Sequence, residues 1–270
     1  VRHPVFHGSF TDHDNDRRHT AQHRTAGIPS PVNAEGFDFR YADWRVSGFG
    51  DDHVVIMNED AFQLTLALTD PWPPVLHKAH GSATPGLVDF GDAGISYYYS
   101  RPRMQARGQV RVGRDAPVPV TGEVWFDHQW GDFEATRLGW NWFALHLEDG
   151  TELMIYELYD QHGSPLTTLG TRSRQGLSET ISSGDIRVHS LGEWTSPRSG
   201  LRYPAAWEIE LPEGRLQIEP LRQDSEFDGR ESIFILYWEG GVRVSGALEG
   251  TGFVEMSGYD GIVPAPGITH

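Results

Sequence analysis

No stretch of this 270-residue chain sustains a helical period, and short alternating apolar runs bounded by turn residues recur along most of its length. Runs of this kind span 53–57, 62–68, 96–100, 108–112, 124–128, 140–147, 152–159, 207–211, 216–220, 233–238, 242–246 and 252–257. The 31 Gly and 17 Pro supply the punctuation between them. The pattern predicts an all-β protein. The pair 140–147 and 152–159, joined by Glu148-Asp149-Gly150-Thr151, reads as a β-hairpin. The polar, His-rich segment 9–31 reads as a loop or a short helix.

Charge and composition remove several classes of function. A formal charge of −16 argues against nucleic acid or an anionic membrane surface as partner. No apolar run reaches the ~18 residues of a transmembrane helix, so no integral membrane segment is expected. The first residues, Val1-Arg2-His3-Pro4, do not form a signal peptide. A cytoplasmic site is therefore expected, or a periplasmic or secreted one if a leader has been removed. The absence of Cys excludes disulfides, thiol catalysis and cysteine metal sites. Lys78 is the only lysine, so Schiff-base chemistry has one candidate. His19-x-x-x-His23 has helical metal-ligand spacing, but no third ligand is fixed, and no metal or cofactor is expected.

The chain repeats itself. Gly108-Gln109-Val110-Arg111-Val112 recurs as Gly240-Gly241-Val242-Arg243-Val244, and Thr121-Gly122 before a strand recurs as Thr251-Gly252. Upstream, Trp44-Arg45-Val46 leading to Phe62-Gln63-Leu64 is echoed by Trp207-Glu208-Ile209 leading to Leu216-Gln217-Ile218. Two copies of one β unit follow, with domains over 1–132 and 133–270. Copy one carries a Pro-rich aromatic insertion, 69–94, that includes Trp72 and reads as a lid or pocket wall. Copy two opens with the 140–159 hairpin, which has no counterpart early in copy one. Either the repeat is imperfect or N-terminal strands of copy one are missing.

The densest chemistry lies in Gly122-Glu123-Val124-Trp125-Phe126-Asp127-His128-Gln129-Trp130-Gly131-Asp132. On a regular strand Trp125 and Asp127 point one way, and Phe126, His128 and Trp130 the other. Asp127 is a candidate general acid for protonating an alkene, which needs a carboxyl kept neutral by burial. It also reads as a strand-end Asp that accepts backbone N–H groups. The same motif lies where copy one meets copy two, a place that favours a ligand pocket.

Several motifs in order resemble the hydroxyneurosporene synthase and AttH-like group of tandem lipocalin-like proteins. They are Tyr97-Tyr98-Tyr99-Ser100, Thr121-Gly122 through Gly131, and Gly139-Trp140-x-Trp142-Phe143-x-Leu145 with Asp149-Gly150. They continue with Trp194-Thr195-Ser196-Pro197, Tyr237-Trp238-Glu239-Gly240 and Gly252-x-Val254-Glu255-Met256-x-Gly258-Tyr259. The resemblance implies two tandem antiparallel lipocalin-like β-barrels. Members usually begin with a Trp/Tyr-rich strand and hairpin that this chain lacks, so the first barrel is expected to be incomplete if those strands are missing. The group includes carotenoid 1,2-hydratases, which add water across a terminal isoprenoid double bond without a cofactor. Related two-barrel proteins are cyclases, including Diels–Alder-type catalysts.

The resemblance carries a His-x-Trp onto His128 and Trp130, where the imidazole orients water or relays a proton and the indole stabilises a cation, worth ~2 kcal/mol when desolvated. It carries an aromatic onto Tyr156, while the acid expected two residues on is replaced by Leu158. Trp125, Trp130, Trp140, Trp142, Tyr97, Tyr99, Trp72 and Trp238 are the candidate walls, and each also reads as ordinary packing. The expected function is acid-catalysed hydration or cyclisation of a hydrophobic unsaturated small molecule, a terpenoid or polyene. The alternatives are a pericyclase of a natural-product pathway, in which Tyr or His hydrogen-bonds a substrate carbonyl, and a non-catalytic carrier of a lipophile.

Overall fold

Alternating β-branched and aromatic residues, cut by Gly and Pro turns, form strands throughout. A computed structural model describes residues 4–26, 32–33 and 36–263. The chain opens with β1 (Val5–Asp12) and β2 (Arg17–Arg24), then β3 (Val32–Asn33), β4 (Gly36–Tyr41), β5 (Trp44–Phe49), β6 (Asp52–Asn58) and β7 (Phe62–Thr69). Short strands β8 (Val75–Leu76) and β9 (Leu87–Asp89) precede the long β10 (Gly94–Val112) and β11 (Val118–Phe133). Next come β12 (Gly139–Leu147), β13 (Glu152–Tyr159), β14 (Pro165–Arg174), β15 (Leu177–Ile181) and β16 (Arg187–Thr195). The last are β17 (Arg202–Leu211), β18 (Gly214–Pro220), β19 (Glu226–Asp228), β20 (Leu236–Gly246) and β21 (Gly250–Ser257). Among the described residues the helical elements are three short 3-10 turns, and no helix is long and apolar enough to cross a membrane.

One curled antiparallel sheet has the order β11-β10-β7-β6-β5-β4-β3, with β8 and β9 also on β10. The other has the order β15-β14-β13-β12-β21-β20-β18-β17-β16, with β19 also on β20. The series β7-β10-β11 in the first is matched by β18-β20-β21 in the second, where the repeated Gly-x-Val-Arg-Val lies on β10 and β20. The fold is all-β, of the tandem lipocalin-like kind. By contact the chain divides into two units. Unit 1 comprises residues up to 73, 103–126 and 229–234. Unit 2 comprises 74–102, 127–228 and everything from 235 on.

The segment 9–31 departs from the loop or helix expected of it. Its described part forms the hairpin β1-β2, with Phe10 opposite His19. Its turn is held by Asp12, whose carboxylate accepts the Asn15 backbone N–H and the Arg17 guanidinium. His19 and His23 are thus strand residues ~13 Å apart along the chain, too far to share one ion. The remaining residues, 27–31, lie outside the described chain. The run at 233–238 also starts later than its sequence suggests. Phe234 takes a left-handed φ of 68°, so β20 begins at Leu236. The runs at 96–100 and 108–112 are one strand, β10, which passes through Pro102. Proline has no N–H to give, and it falls where β10 changes partner: Ser100 pairs Val75 of β8, and Gln105 pairs Thr69 of β7.

Unit 1 packs Leu68, Met104 and Ala106 with Val55, Leu66, Val124 and Phe126. Phe126 also stacks on Phe37, with ring centroids 5.6 Å apart. In unit 2 one face of the ten-stranded sheet forms a continuous core around Phe143, Ile155, Trp207, Ile218, Trp238 and Val254. Successive strand residues point to opposite faces, so Trp140, Trp142, Tyr156 and Glu255 occupy the other side of the same sheet.

One buried acid lies on the core side. Glu157 accepts an N–H from Asn141, whose Oδ1 accepts the Tyr259 hydroxyl. Burial pushes the Glu157 carboxyl up to about 7, against a partial offset from Asn141. A carboxyl raised on folding stabilises the fold fully below its unfolded pKa, and that contribution is lost as pH climbs through 4.5 to 7. Glu157→Gln should therefore be more stable than the wild type at pH 8, by about 1.4 kcal/mol for each tenfold difference in proton affinity that it removes, and melt at a higher temperature. Its advantage should vanish at pH 4. Calorimetry at the two pH values checks this.

Candidate active site

β10 alternates strictly. Ser96, Tyr98 and Ser100 point inward and are buried, while Tyr97 is exposed and Tyr99 half-buried. On β11, Gly131 lets the strands close at this end: a Cβ there would stand 2.3 Å from the Ile95 carbonyl. Side chains of unit 2 then meet on the inward side. The Tyr98 hydroxyl donates to Asp127 Oδ1 at 2.9 Å, and the Ser100 hydroxyl donates to the same oxygen. Trp142 Nε1 donates to the Tyr98 oxygen at 2.9 Å. Asp127 as a residue is exposed.

Behind Ser100 stands His77, delivered by β8 from the 69–94 insertion. Its ring lies 4.4 Å, centroid to centroid, from Tyr98. Nε2 is 2.6 Å from Ser100 Oγ, and Nδ1 is 3.0 Å from Thr171 Oγ1 on β14. Burial holds the imidazole down to about 3, so it is neutral near pH 7. The Ser100 hydroxyl has one proton, which goes to Asp127. It must then accept from His77 Nε2–H, and His77 Nδ1 must accept from Thr171. A directed chain of hydrogen bonds runs Thr171, His77, Ser100, Asp127.

The sheet beneath supplies a second carboxyl. In register across the strands stand Glu239 on β20, Glu255 on β21, Trp142 on β12 and Tyr156 on β13. Trp140 Nε1 donates to Glu255 Oε1 at 3.0 Å. Burial and then the facing Glu239 carboxylate push Glu255 up to about 7; the Trp140 N–H opposes this and the Asp127 charge adds to it. Burial, together with the Glu255 and Asp127 charges, also keeps the Tyr156 phenol protonated well above its usual range. The arrangement is two carboxyls in different settings among indole and phenol rings, a combination suited to moving a proton to and from an apolar substrate.

The remaining expected residues distribute as follows. Asp127, Tyr156, Trp140 and Trp142 converge on this face. His128 does not join them: it points the other way, its Nδ1 3.4 Å from the Tyr99 hydroxyl and its ring 4.8 Å from Trp130. Tyr97 stacks on Trp130 at 5.7 Å, so Tyr97, Tyr99, His128 and Trp130 form a separate, more exposed aromatic cluster in unit 2. Burial lowers the His128 imidazole, so this cluster carries no standing positive charge near pH 7. Trp238 is buried in the unit 2 core beside Trp207. Trp72 and Trp125 belong to unit 1, the first exposed and the second half-buried. Sequence reasoning alone gives no role to His77, Ser100, Thr171 or Glu255. Period-2 alternation does place Ser100 on the same face as Tyr98, which is the one local signal pointing to it. Glu255 lies inside a family-like motif, with nothing nearby in the chain to mark it as an acid of the site.

These features define an all-β, tandem lipocalin-like protein that gathers two carboxyls and several aromatic rings on one face of unit 2. The chain belongs to the AttH-like family, whose model matches residues 4–259. It is similar to the crystal structure of a protein assigned as AttH from Nitrosomonas europaea, with a TM-score of 0.83 and 27% identity over 95% of this chain and 82% of that one. It is also similar to kievitone hydratase of Fusarium solani subsp. phaseoli, 24% identical over 185 residues. That match takes in 65% of this chain and 52% of the hydratase, so it spans about half the length of that relative. The crystal structure of kievitone hydratase from Nectria haematococca has a TM-score of 0.78 at 18% identity, over 95% of this chain and 81% of that one, a likeness of fold.

Proposed function

We propose that this protein is an enzyme of hydratase or cyclase type that works without a cofactor on a hydrophobic, unsaturated small molecule of terpenoid or polyene character. The observation that carries the reading is the pairing of Asp127 with Glu255, with Trp140, Trp142, Tyr98 and Tyr156 around them. Protonating an alkene needs a carboxyl that still holds its proton near neutral pH, and Glu255 meets that need. The carbocation that forms needs π faces and a negative charge, which the two indoles and Asp127 supply. The relative named kievitone hydratase lends weight to water as the nucleophile. Carotenoid-type substrates, implied by the sequence resemblance, are one member of the proposed class.

The test is incubation with prenylated and polyene alkenes in oxygen-18 water, followed by mass spectrometry. Hydration predicts a product heavier by one labelled water, and cyclisation a rearranged product of unchanged mass. A bound substrate returned unchanged throughout the panel would sink the enzymatic reading in favour of a carrier. A cyclised product insensitive to loss of both carboxyls would instead mark a pericyclase.

A further inference from the structure

We infer that Glu255 is the proton donor of this site and Asp127 the acceptor, a division of labour that rests on the proposed reaction and sharpens it. The geometry separates the two acids. Asp127 Oδ1 takes two hydroxyl protons, from Tyr98 and Ser100, and Ser100 is backed by the chain through His77 to Thr171. Hydroxyl donors on a carboxylate favour its ionised form, so Asp127 enters the reaction as the unprotonated partner. Glu255 has the opposite setting. It lies partly buried on β21 and receives one donor, Trp140 Nε1, on Oε1. Its Oε2 makes no hydrogen bond among the described residues. Directly across the ladder on β20 is Glu239, a second carboxylate. Two facing carboxyls do not ionise together without cost, so one keeps its proton. The other groups whose charge bears on Glu255 are Asp127 from β11 and the neutral Tyr156 from β13. Among the described residues no cation is paired with Glu255 to pull the proton off.

In the first step the Glu255 Oε2–H bond breaks and the alkene π pair forms a new C–H bond, leaving a tertiary cation over the indoles and a Glu255 carboxylate. In hydration a water oxygen bonds to the cation and its proton passes to Asp127; in cyclisation an internal alkene attacks and Asp127 takes the proton from the neighbouring carbon. The two carboxyls finish with exchanged protons, and solvent resets them. Without the Asp127 charge the Glu255 pKa would fall, so Asp127 tunes the donor.

Three measurements decide between donor and bystander. Carbon-13 NMR of labelled Glu side chains should show Glu255, assigned by its disappearance in Glu255→Gln, titrating near 7 and shifting downward in Asp127→Asn. With a substrate found in the alkene panel, Glu255→Gln should lose at least ~100-fold in kcat while KM changes little. Glu255→Asp should retain part of the rate with a displaced alkaline limb in the pH profile. Titration of Glu255 at an ordinary carboxylate value of about 4 to 5, or kcat of Glu255→Gln within about tenfold of wild type, would overturn the assignment. If instead the wild-type protein turns over nothing in the panel, the proposed reaction itself fails, and the assignment with it, whatever the NMR shows.

Discussion

Asp127→Asn should abolish turnover on any alkene the wild type accepts, a fall of roughly 10²–10⁴ in kcat, the usual worth of one positioned proton-transfer group. The substitution is close to isosteric. Asn Oδ1 still accepts the Tyr98 and Ser100 hydroxyls, so the network should survive and ligand binding should persist. What disappears is the negative charge and the site for a proton. Intermediate variants should grade the effect. Tyr98→Phe and Ser100→Ala each remove one donor to a charged acceptor, worth about 1.5–3 kcal/mol, and should cost roughly ten- to 100-fold. His77→Phe keeps a ring beside Tyr98 but removes the partner of Ser100 and of Thr171, and its loss of rate should resemble that of Ser100→Ala. Tyr98→Phe also removes the oxygen to which Trp142 Nε1 donates, so a small loss of stability should accompany its loss of rate. Single-turnover kinetics together with ligand-quenched tryptophan fluorescence separate these outcomes, and unchanged turnover in Asp127→Asn would remove Asp127 from the chemistry.

The all-β class and the hairpin β12-β13 are legible in the sequence because both depend on short-range signals: alternation and an Asp-Gly turn. Alternation also predicts that Asp127 and His128 diverge, as they do. The N-terminal hairpin is hidden because β2 is polar on both faces, leaving no period to read in Arg17–Arg24, although β1 sets Phe6 and Phe10 on one face. β14, β15 and β16 are hidden for a related reason: Thr, Ser and charged residues dominate them, and their pairing is set by neighbours that carry the apolar pattern. The candidate site is half legible. Asp127, Trp142 and Tyr156 stand out as an acid and aromatics. His77 and Glu255 do not, because each acquires its role from partners distant in sequence, Thr171 at 94 residues and Trp140 at 115. No local pattern encodes such meetings.

The largest expected effect on stability comes from the opposite face of the same sheet. Trp207→Ala should destabilise unit 2 by about 3–5 kcal/mol. Trp207 has no exposed surface, meets Phe143 edge-on with centroids 5.6 Å apart, and lies 6.2 Å from Trp238. β17 and β18 hold it from one side, where Trp207 pairs with Ile218, while β12 and β20 supply the rings facing it. β17 is held by ladders to β16 and β18, so its backbone cannot move into the space left, and the cost should fall at the high end of the range. For a chain of this size the loss translates to a drop in Tm on the order of 10 °C. Trp207→Phe should cost much less than area alone predicts. The indole Nε1 is buried without a hydrogen-bond partner, and phenylalanine removes that unsatisfied donor along with the second ring. Calorimetry of the two variants checks the argument. Equal losses for Phe and Ala would show that the second ring, and not the cavity, sets the energy. A negligible loss for Ala would show that the core can repack, contrary to the ladders that hold β17 on both sides.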